Sequence, residues 1–135
     1  MKGKIDVYGL GISLGQLHHC QDFCRKRGLE AELFLGPAEA LPFKNDAFAA
    51  TFHVGGINFF GDKRAAAIDE MIRVGRPGTK IAIADENEKA VKGFDQLPGF
   101  RRLFEKKRET VTIPADLVPA AMHDIKADSI WKGAG

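Results

Sequence analysis

The sequence has 135 residues, of which 44% are hydrophobic and 28% charged, the composition of one folded domain spanning residues 1–135. A formal net charge of only +2 argues against a nucleic acid or an anionic membrane as partner. No apolar stretch approaches the roughly 20 residues that cross a bilayer, and the N-terminus lacks a signal-peptide pattern, so a cytoplasmic location is predicted.

The first predicted elements form a βα unit. A strand is expected over residues 5–10, and Ser13 is a plausible N-cap for the helix that follows. Gly28 fits the left-handed position that ends a helix. Cys20 and Cys24 lie within this helix and are predicted to be reduced thiols that pack in the core.

Two further strands follow the first helix. Residues 31–35 alternate toward a strand, and residues 38–41 can make at most a turn of helix. Residues 48–54 form the next candidate strand. The aromatic and glycine-rich segment after it, residues 55–60, has the character of a site-forming loop.

The second half of the predicted fold is a helix, a turn and a buried strand. Asp62 is a good N-cap for a helix through Val74, and residues 76–78 make the turn into a strand over residues 80–84. This strand is uninterrupted and apolar, which is typical of a parallel sheet covered by helices on both faces. One late strand is expected at about residues 125–131.

Three segments carry a more specific signal. Residues 36–43, 45–52 and 70–79 resemble, in the same order and at similar spacing, motifs of class I S-adenosylmethionine-dependent methyltransferases. In that family the first follows strand three, the second leads into strand four, and the third is the helix and Pro-Gly turn before strand five. The resemblance covers residues 4–86 and implies an α/β fold of Rossmann-like type, doubly wound around a mostly parallel sheet.

The resemblance also implies that part of the family's fold is missing. It identifies residues 5–10 with strand two, and only residues 1–4 precede them, where the family has a strand, a Gly-x-Gly loop and a helix. That loop holds the amino acid end of the cofactor by close backbone approach and a helix N-terminus. The sheet is therefore expected to lack the family's first strand and its last.

The loss of the first strand has a structural consequence, because in the family it lies between strands two and four. Unpaired buried backbone groups are costly, so either strand two pairs directly with strand four or a second copy of the chain supplies cover. We therefore expect a homodimer.

The cofactor implied by the resemblance is S-adenosylmethionine, bound weakly or not at all. Gly11 stands where the family has an acidic residue that accepts hydrogen bonds from both ribose hydroxyls, and Pro37 where it usually has the aspartate that reads the adenine amino group. A hydrogen bond to a charged group contributes about 1.5–3 kcal/mol, so these replacements weaken binding. The residues assigned to the cofactor are Gly9, Gly11, Ile12, Ser13, Pro37, Ala38, Glu39, His53 and Gly55.

Other interpretations of the same residues remain open. The spacing of Gly9, Gly11 and Gly15 after a strand is also consistent with a nucleotide-binding loop, although the third glycine is displaced from the usual pattern. His53 at a strand end is either structural or a general base. Asp85 and Glu86 are either polar site residues or the cap of the next segment.

A metal site is not predicted. His18, His19, Cys20 and Cys24 lie close together in sequence, but a structural zinc site takes four ligands, usually from two segments. The sequence thus predicts a methyltransferase-related protein with an incomplete cofactor site, with little or no activity by itself, acting on a small-molecule acceptor that these residues do not identify. No catalytic residue is assigned. A non-catalytic homodimeric interaction module is the alternative.

Overall fold

The computed structural model describes residues 4–85 and 117–127. The helices and strands, in chain order, are β1 (Tyr8–Gly11), α1 (Leu14–Arg27), β2 (Glu32–Leu35), β3 (Phe48–Val54), α2 (Arg64–Val74) and β4 (Gly75–Ala84), with 3-10 turns at Ile57–Phe59 and Gly61–Lys63. Two compact units are present. The first contains the described residues up to Phe52 together with Asp69–Ala82, and the second contains His53–Ile68 and the described residues from Ile83 onward.

Helix α1 has the ends that the sequence predicts. The Ser13 hydroxyl accepts a hydrogen bond from the Gln16 N–H at 3.3 Å, which satisfies one of the free amides of the first turn. Gly28 closes the helix at φ 63°, a left-handed conformation that glycine adopts without the steric cost of a Cβ. The predicted helix is therefore confirmed, with both its caps.

The cysteines of α1 do not pack in a core as predicted. Both thiols are free, but Cys20 is exposed and Cys24 is only half-buried. No residue of α1 is fully buried. Desolvation, followed by the neighbouring Cys20 thiol, raises the pKa of Cys24 above 9.0, so that it stays protonated at neutral pH. The prediction of core packing is thus wrong for Cys20.

The described strands form two separate two-stranded sheets, β1 with β2 and β3 with β4. Strands β1 and β2 are parallel, with Tyr8 opposite Glu32 and Gly11 opposite Leu35. β3 and β4 also run in the same direction. Just before β3 the Ala47 N–H donates to the carbonyl of Val74, the residue that precedes β4, at 2.8 Å, and just after β3 the Gly55 N–H donates to the carbonyl of Ala84, the last residue of β4, at 2.8 Å. The predicted α/β class with parallel strands is confirmed, whereas direct pairing of β1 with β3 does not occur among these strands.

An aromatic cluster packs between the strands of the first unit. Phe43 lies at its centre, with ring centroids 5.1 Å from Phe34 and 5.0 Å from Phe48, both edge to face. Tyr8 of β1 adds a further edge-to-face contact with Phe48 at 5.5 Å. Such pairs contribute beyond the area that they bury. The cluster joins β1, β2, β3 and the segment before β3.

Several side chains of the β3–β4 sheet are exposed in the structure of the described residues. Phe52 and Val54 are 72% and 73% exposed, and Lys80 and Ala82 of β4 are exposed too. The buried hydrophobic residues lie on the turn before α2, on α2 and nowhere else in the described ranges; they are Ile57, Ala67, Ile68, Met71 and Val74. An apolar strand indicates that both its faces can be buried, but its sequence does not indicate which element covers them.

Several predicted boundaries shift. β1 begins at Tyr8 instead of residue 5, and Asp62 lies inside the 3-10 turn Gly61–Lys63, so it does not cap α2. Residues 76–78 belong to β4 instead of preceding it. The late strand is absent at residues 125–127, and the rest of its predicted span lies outside the described residues.

Candidate functional site

The carboxyl ends of β1 and β2 form one edge of the first unit. Gly11 and Leu35 are the last paired residues, and the Gly36 N–H donates to the Gly11 carbonyl at 3.1 Å. The chain leaves this edge as residues 12–13 on one side and residues 37–39 on the other. Seven of the nine predicted cofactor residues, all except His53 and Gly55, lie at or beside this edge. Open α/β sheets bind ligands outside the carboxyl ends of their strands, so this is the edge at which a ligand is expected.

Ile12 and Ser13 play different parts at this edge. Ile12 is 77% exposed, and an exposed apolar side chain at a strand end offers a surface on which a flat ring can pack. The Ser13 hydroxyl is already an acceptor for the first turn of α1. Pro37 is exposed, and Ala38 and Glu39 are half-buried in the turn that follows β2.

Gly11 leaves space where the family has a carboxylate. A Cβ added at Gly11 would meet only Leu17 Cδ2, at an ordinary 3.7 Å, and Gly11 is not among the glycines with positive φ. Gly9 differs, because its Cβ would lie 2.9 Å from Leu33 Cδ2. The close approach of β2 therefore explains a glycine at position 9, whereas neither packing nor backbone conformation requires one at position 11.

The three spaced glycines do not form a loop. Gly9 and Gly11 lie within β1, and Gly15 lies in the first turn of α1. A phosphate-binding loop places successive backbone N–H groups around an anion, and strand residues cannot do this. The geometry gives the nucleotide-loop interpretation no support.

An ion pair that was not predicted from the sequence anchors the segment beyond the edge. Arg73 donates to the Glu70 carboxylate at 2.6 and 2.8 Å, and also to the Phe43 carbonyl at 2.8 Å and the Leu41 carbonyl at 3.0 Å. Glu70 in turn accepts the Leu41 N–H at 2.7 Å. The pair thus fixes the chain immediately after residues 37–39. The only sequence signal was the i,i+3 spacing of Glu70 and Arg73 on a helix.

The ionisation of this pair follows from its contacts. Hydrogen bonding from Arg73 lowers the pKa of Glu70 below its ordinary 4.5, partial burial acts in the opposite direction, and the Leu41 N–H adds to the lowering. The same hydrogen bonds raise the pKa of Arg73. Both residues are therefore charged at neutral pH, and their side chains keep 20% and 31% of their exposure.

The second unit contains the other two predicted cofactor residues, His53 and Gly55. His53 lies at the end of β3 with its ring edge to face against Phe60, centroids 5.5 Å apart. Its Nε2 is buried and has no hydrogen-bond partner in the structure as described. Gly55 has a φ of 72° and opens the loop that follows β3. The pairing of these two residues with a cofactor stays a prediction.

Asp85 connects this loop to the end of β4. Its carboxylate accepts the N–H groups of Gly56 at 2.8 Å and Asn58 at 2.9 Å. The sequence left open whether Asp85 is a polar site residue or the cap of the next segment. Its contacts hold the loop after β3, and the segment that follows Asp85 lies outside the described residues. Glu86 lies outside the described residues.

Other parts of the described structure carry no comparable arrangement. A cleft of about 490 Å³ lies at the amino ends of β1 and β2, and the exposed ion pair of Lys4 and Glu30 lies at its rim. Within residues 4–85 and 117–127 no group of three or more His, Cys, Asp or Glu side chains is placed to hold a metal ion. The helices described there are all too short or too polar to cross a membrane.

Known proteins of similar sequence are methyltransferases. Residues 1–78 match the family described as "Methyltransferase domain". A demethylmenaquinone methyltransferase of Renibacterium salmoninarum is 37% identical over 82 residues, which are 60% of this chain and 32% of that protein. A demethylmenaquinone methyltransferase of Anoxybacillus flavithermus is 29% identical over 114 residues, 77% of this chain and 48% of its own.

The fold is also found in solved structures. The PH0226 protein of Pyrococcus horikoshii superposes with a TM-score of 0.59 at 20% identity, over 64% of this chain and 42% of that one. The chain spans less than half the length of these curated relatives and of this structure. Because the family match extends over more than half of the 135 residues, the chain belongs to the class I S-adenosylmethionine-dependent methyltransferase family.

Proposed function

We propose that the chain is a methyltransferase-related protein that keeps the adenosine edge of an S-adenosylmethionine site in reduced form and has little or no transferase activity by itself. The observation that carries this proposal is Gly11. It ends β1 at the ligand-binding edge, beside Leu35, with room for a side chain but none present. The family's bidentate contact to the ribose is thereby lost.

The expected loss of affinity follows from the contacts that Gly11 and Pro37 cannot make. Each hydrogen bond to a charged group contributes about 1.5–3 kcal/mol, so two of them are equivalent to at least a hundredfold in the dissociation constant. Pro37 removes a further polar contact. Ile12 and the N–H of Ala38 are the remaining groups offered to adenine, and they support weak binding.

Calorimetric titration tests the proposal directly. S-adenosylhomocysteine is expected to bind with a Kd of about a millimolar, and S-adenosylmethionine no more tightly. Inorganic tripolyphosphate serves as the control because it carries the phosphates of a nucleotide without adenosine, and it is expected to give no heat because the spaced glycines lie in β1 and α1. Micromolar affinity for S-adenosylmethionine would contradict an incomplete site, and the absence of all binding up to several millimolar would contradict a retained adenosine edge.

Catalysis in an intact member of the family comes mainly from holding methyl donor and acceptor in line. A nucleophilic side chain is therefore not required. Positioning depends instead on how firmly the cofactor's two ends are held. A chain that holds the ribose of the cofactor weakly also holds the reacting methyl group poorly.

A second candidate function is self-association, favoured by the exposed face of β3. Phe52 and Val54 project side chains that are 72% and 73% exposed, and exposed apolar residues adjacent on one strand face favour contact with another protein surface. A second copy of the chain is the proposed partner. The resulting homodimer would act as a non-catalytic interaction module.

Sedimentation at micromolar concentration tests the homodimer. The wild-type chain is expected to sediment as a dimer, and Phe52→Ser is expected to shift it toward monomer because the substitution removes apolar area from the interface. Phe23→Ser on α1 is the matched control, since Phe23 is also exposed, at 53%, but lies on another element. A wild-type monomer, or equal effects of both substitutions, would argue against the β3 face as the interface.

A further inference from the structure

The loop after β3 is held by one carboxylate from the end of β4. Asp85 Oδ1 accepts the Gly56 N–H at 2.8 Å, and Asp85 Oδ2 accepts the Asn58 N–H at 2.9 Å and the Asn58 side-chain amide at 3.1 Å. The backbone adds one bond, from the Gly55 N–H to the Ala84 carbonyl at 2.8 Å. A carboxylate can only accept, and here it meets three donors from the same short segment.

The conformation of this loop explains why it needs an anchor. Gly55 and Gly56 have φ values of 72° and 87°, so two successive residues adopt a backbone that only glycine takes easily. Two adjacent glycines also lose the most conformational entropy when they are fixed. Without the charge-assisted bonds to Asp85, the segment would sample many other conformations.

Asn58 extends the same network toward α2. It is 6% exposed and is the one polar residue among the fully buried side chains that the structure describes. Its amide donates to Asp85 while its side-chain oxygen accepts from Arg64 Nη1 at 3.2 Å, so both ends of the amide are used. Asp85, Asn58 and Arg64 therefore connect the end of β4 to the beginning of α2 across the loop.

The position of the loop gives this network a bearing on ligand binding. It lies at the carboxyl ends of β3 and β4, the end of an α/β sheet at which ligands bind. A Cβ placed on Gly56 would meet no atom within 4 Å, so the backbone here is open to close approach. Next to it, His53 carries a buried Nε2 without a partner in the described structure, and an unpaired buried polar atom is a feature that often marks a functional site.

We propose that Asp85 is a positioning residue for ligand binding, which acts by holding the Gly55–Gly56 backbone and Asn58 in their observed arrangement. This inference rests on the proposed function, because it takes S-adenosylhomocysteine, the ligand predicted for His53 and Gly55, as the ligand of this loop. Asp85 itself need not touch the ligand. Its loss is expected to reduce affinity through the loop, since a binding surface that must be ordered on binding pays the ordering cost at that moment.

The test combines hydrogen exchange with titration on the full chain. In the wild type, the Gly56 and Asn58 amides are expected to be protected from exchange, and Asp85→Ala should abolish this protection while α1 amides keep theirs. The same variant is expected to bind S-adenosylhomocysteine roughly tenfold more weakly. Asp85→Asn retains one acceptor oxygen and the same shape, so an intermediate loss is expected.

Asp62→Ala is the matched control, because Asp62 is an exposed aspartate of the same unit for which no hydrogen bond is found in the described structure. It should change neither exchange nor affinity. If Asp85→Ala frees the loop but binds as tightly as the wild type, the positioning role is wrong although the proposed function stands. If the Gly56 and Asn58 amides of the wild type exchange without protection, Asp85 does not hold the loop and the inference is wrong. If the wild type binds no S-adenosylhomocysteine, the proposed function and this inference both fail.

Discussion

Replacing Gly11 with aspartate is expected to tighten the binding of S-adenosylhomocysteine by about tenfold to a hundredfold. The substitution returns a carboxylate to the end of β1, where one charged hydrogen bond to a ribose hydroxyl contributes about 1.5–3 kcal/mol. The new Cβ would have Leu17 Cδ2 as its nearest neighbour at 3.7 Å, and position 11 does not need a left-handed backbone. Calorimetric titration of both proteins measures the change.

Gly11→Ala is the control for this gain, because alanine adds the same Cβ without an acceptor. It is expected to bind like the wild type and to show that filling the space alone does nothing. A folded Gly11→Asp variant that binds no more tightly than Gly11→Ala would mean that the missing ribose contact does not limit affinity. Even a successful variant is expected to stay weaker than an intact family member, since Pro37 still lacks the adenine contact.

Local signals in the sequence predicted the elements whose ends are determined by their own residues. Ser13 and Gly28 act within the first and last turns of α1, and the structure has both caps where the sequence placed them. β3 likewise spans residues 48–54 as predicted, because a run of strand-forming residues ends at two glycines. The family motifs then gave the parallel α/β class, which no single element could give.

What the sequence did not predict depends on contacts between distant residues. Arg73 reaches a carbonyl 32 residues earlier, and Asp85 binds an amide 29 residues before it. Neither contact produces a periodic pattern in the sequence. Arg73 was therefore predicted only as part of a helix, and two interpretations of Asp85 stayed open. The exposure of Phe52 and Val54 was not predicted for a related reason, since the burial of a strand residue depends on its contacts with other elements.

The Glu70–Arg73 pair is expected to be a major stabilising contact of the first unit. Glu70→Ala should lower the free energy of unfolding by about 1.5–3 kcal/mol, toward the lower end because both side chains retain contact with water. The substitution deprives the Leu41 N–H of its acceptor at 2.7 Å and leaves Arg73 without its charge partner. Urea unfolding followed by circular dichroism measures the loss.

Asp69→Ala is the matched control, since Asp69 is the preceding residue of α2, is exposed, and has no partner within the described residues. A change of no more than about 0.5 kcal/mol is expected there. Equal losses for the two substitutions would show that helix propensity or net charge, and not the anchoring of Leu41, accounts for the effect.

Acidification gives the same pair an independent test. Because the folded-state pKa of Glu70 is lowered below 4.5, its contribution is fully present above that pH and is lost as the pH falls through the lower folded value. The stability difference between the wild type and Glu70→Gln should therefore be constant near neutrality and shrink below pH 4.5. Since Arg73 also holds the carbonyls of Leu41 and Phe43, loosening it frees the chain next to Pro37, Ala38 and Glu39. Ligand affinity should accordingly fall in the same acidic range in which the stability difference disappears. If affinity instead falls at a pH well above 4.5, where Glu70 is still charged, the loss of affinity has a cause other than this ion pair.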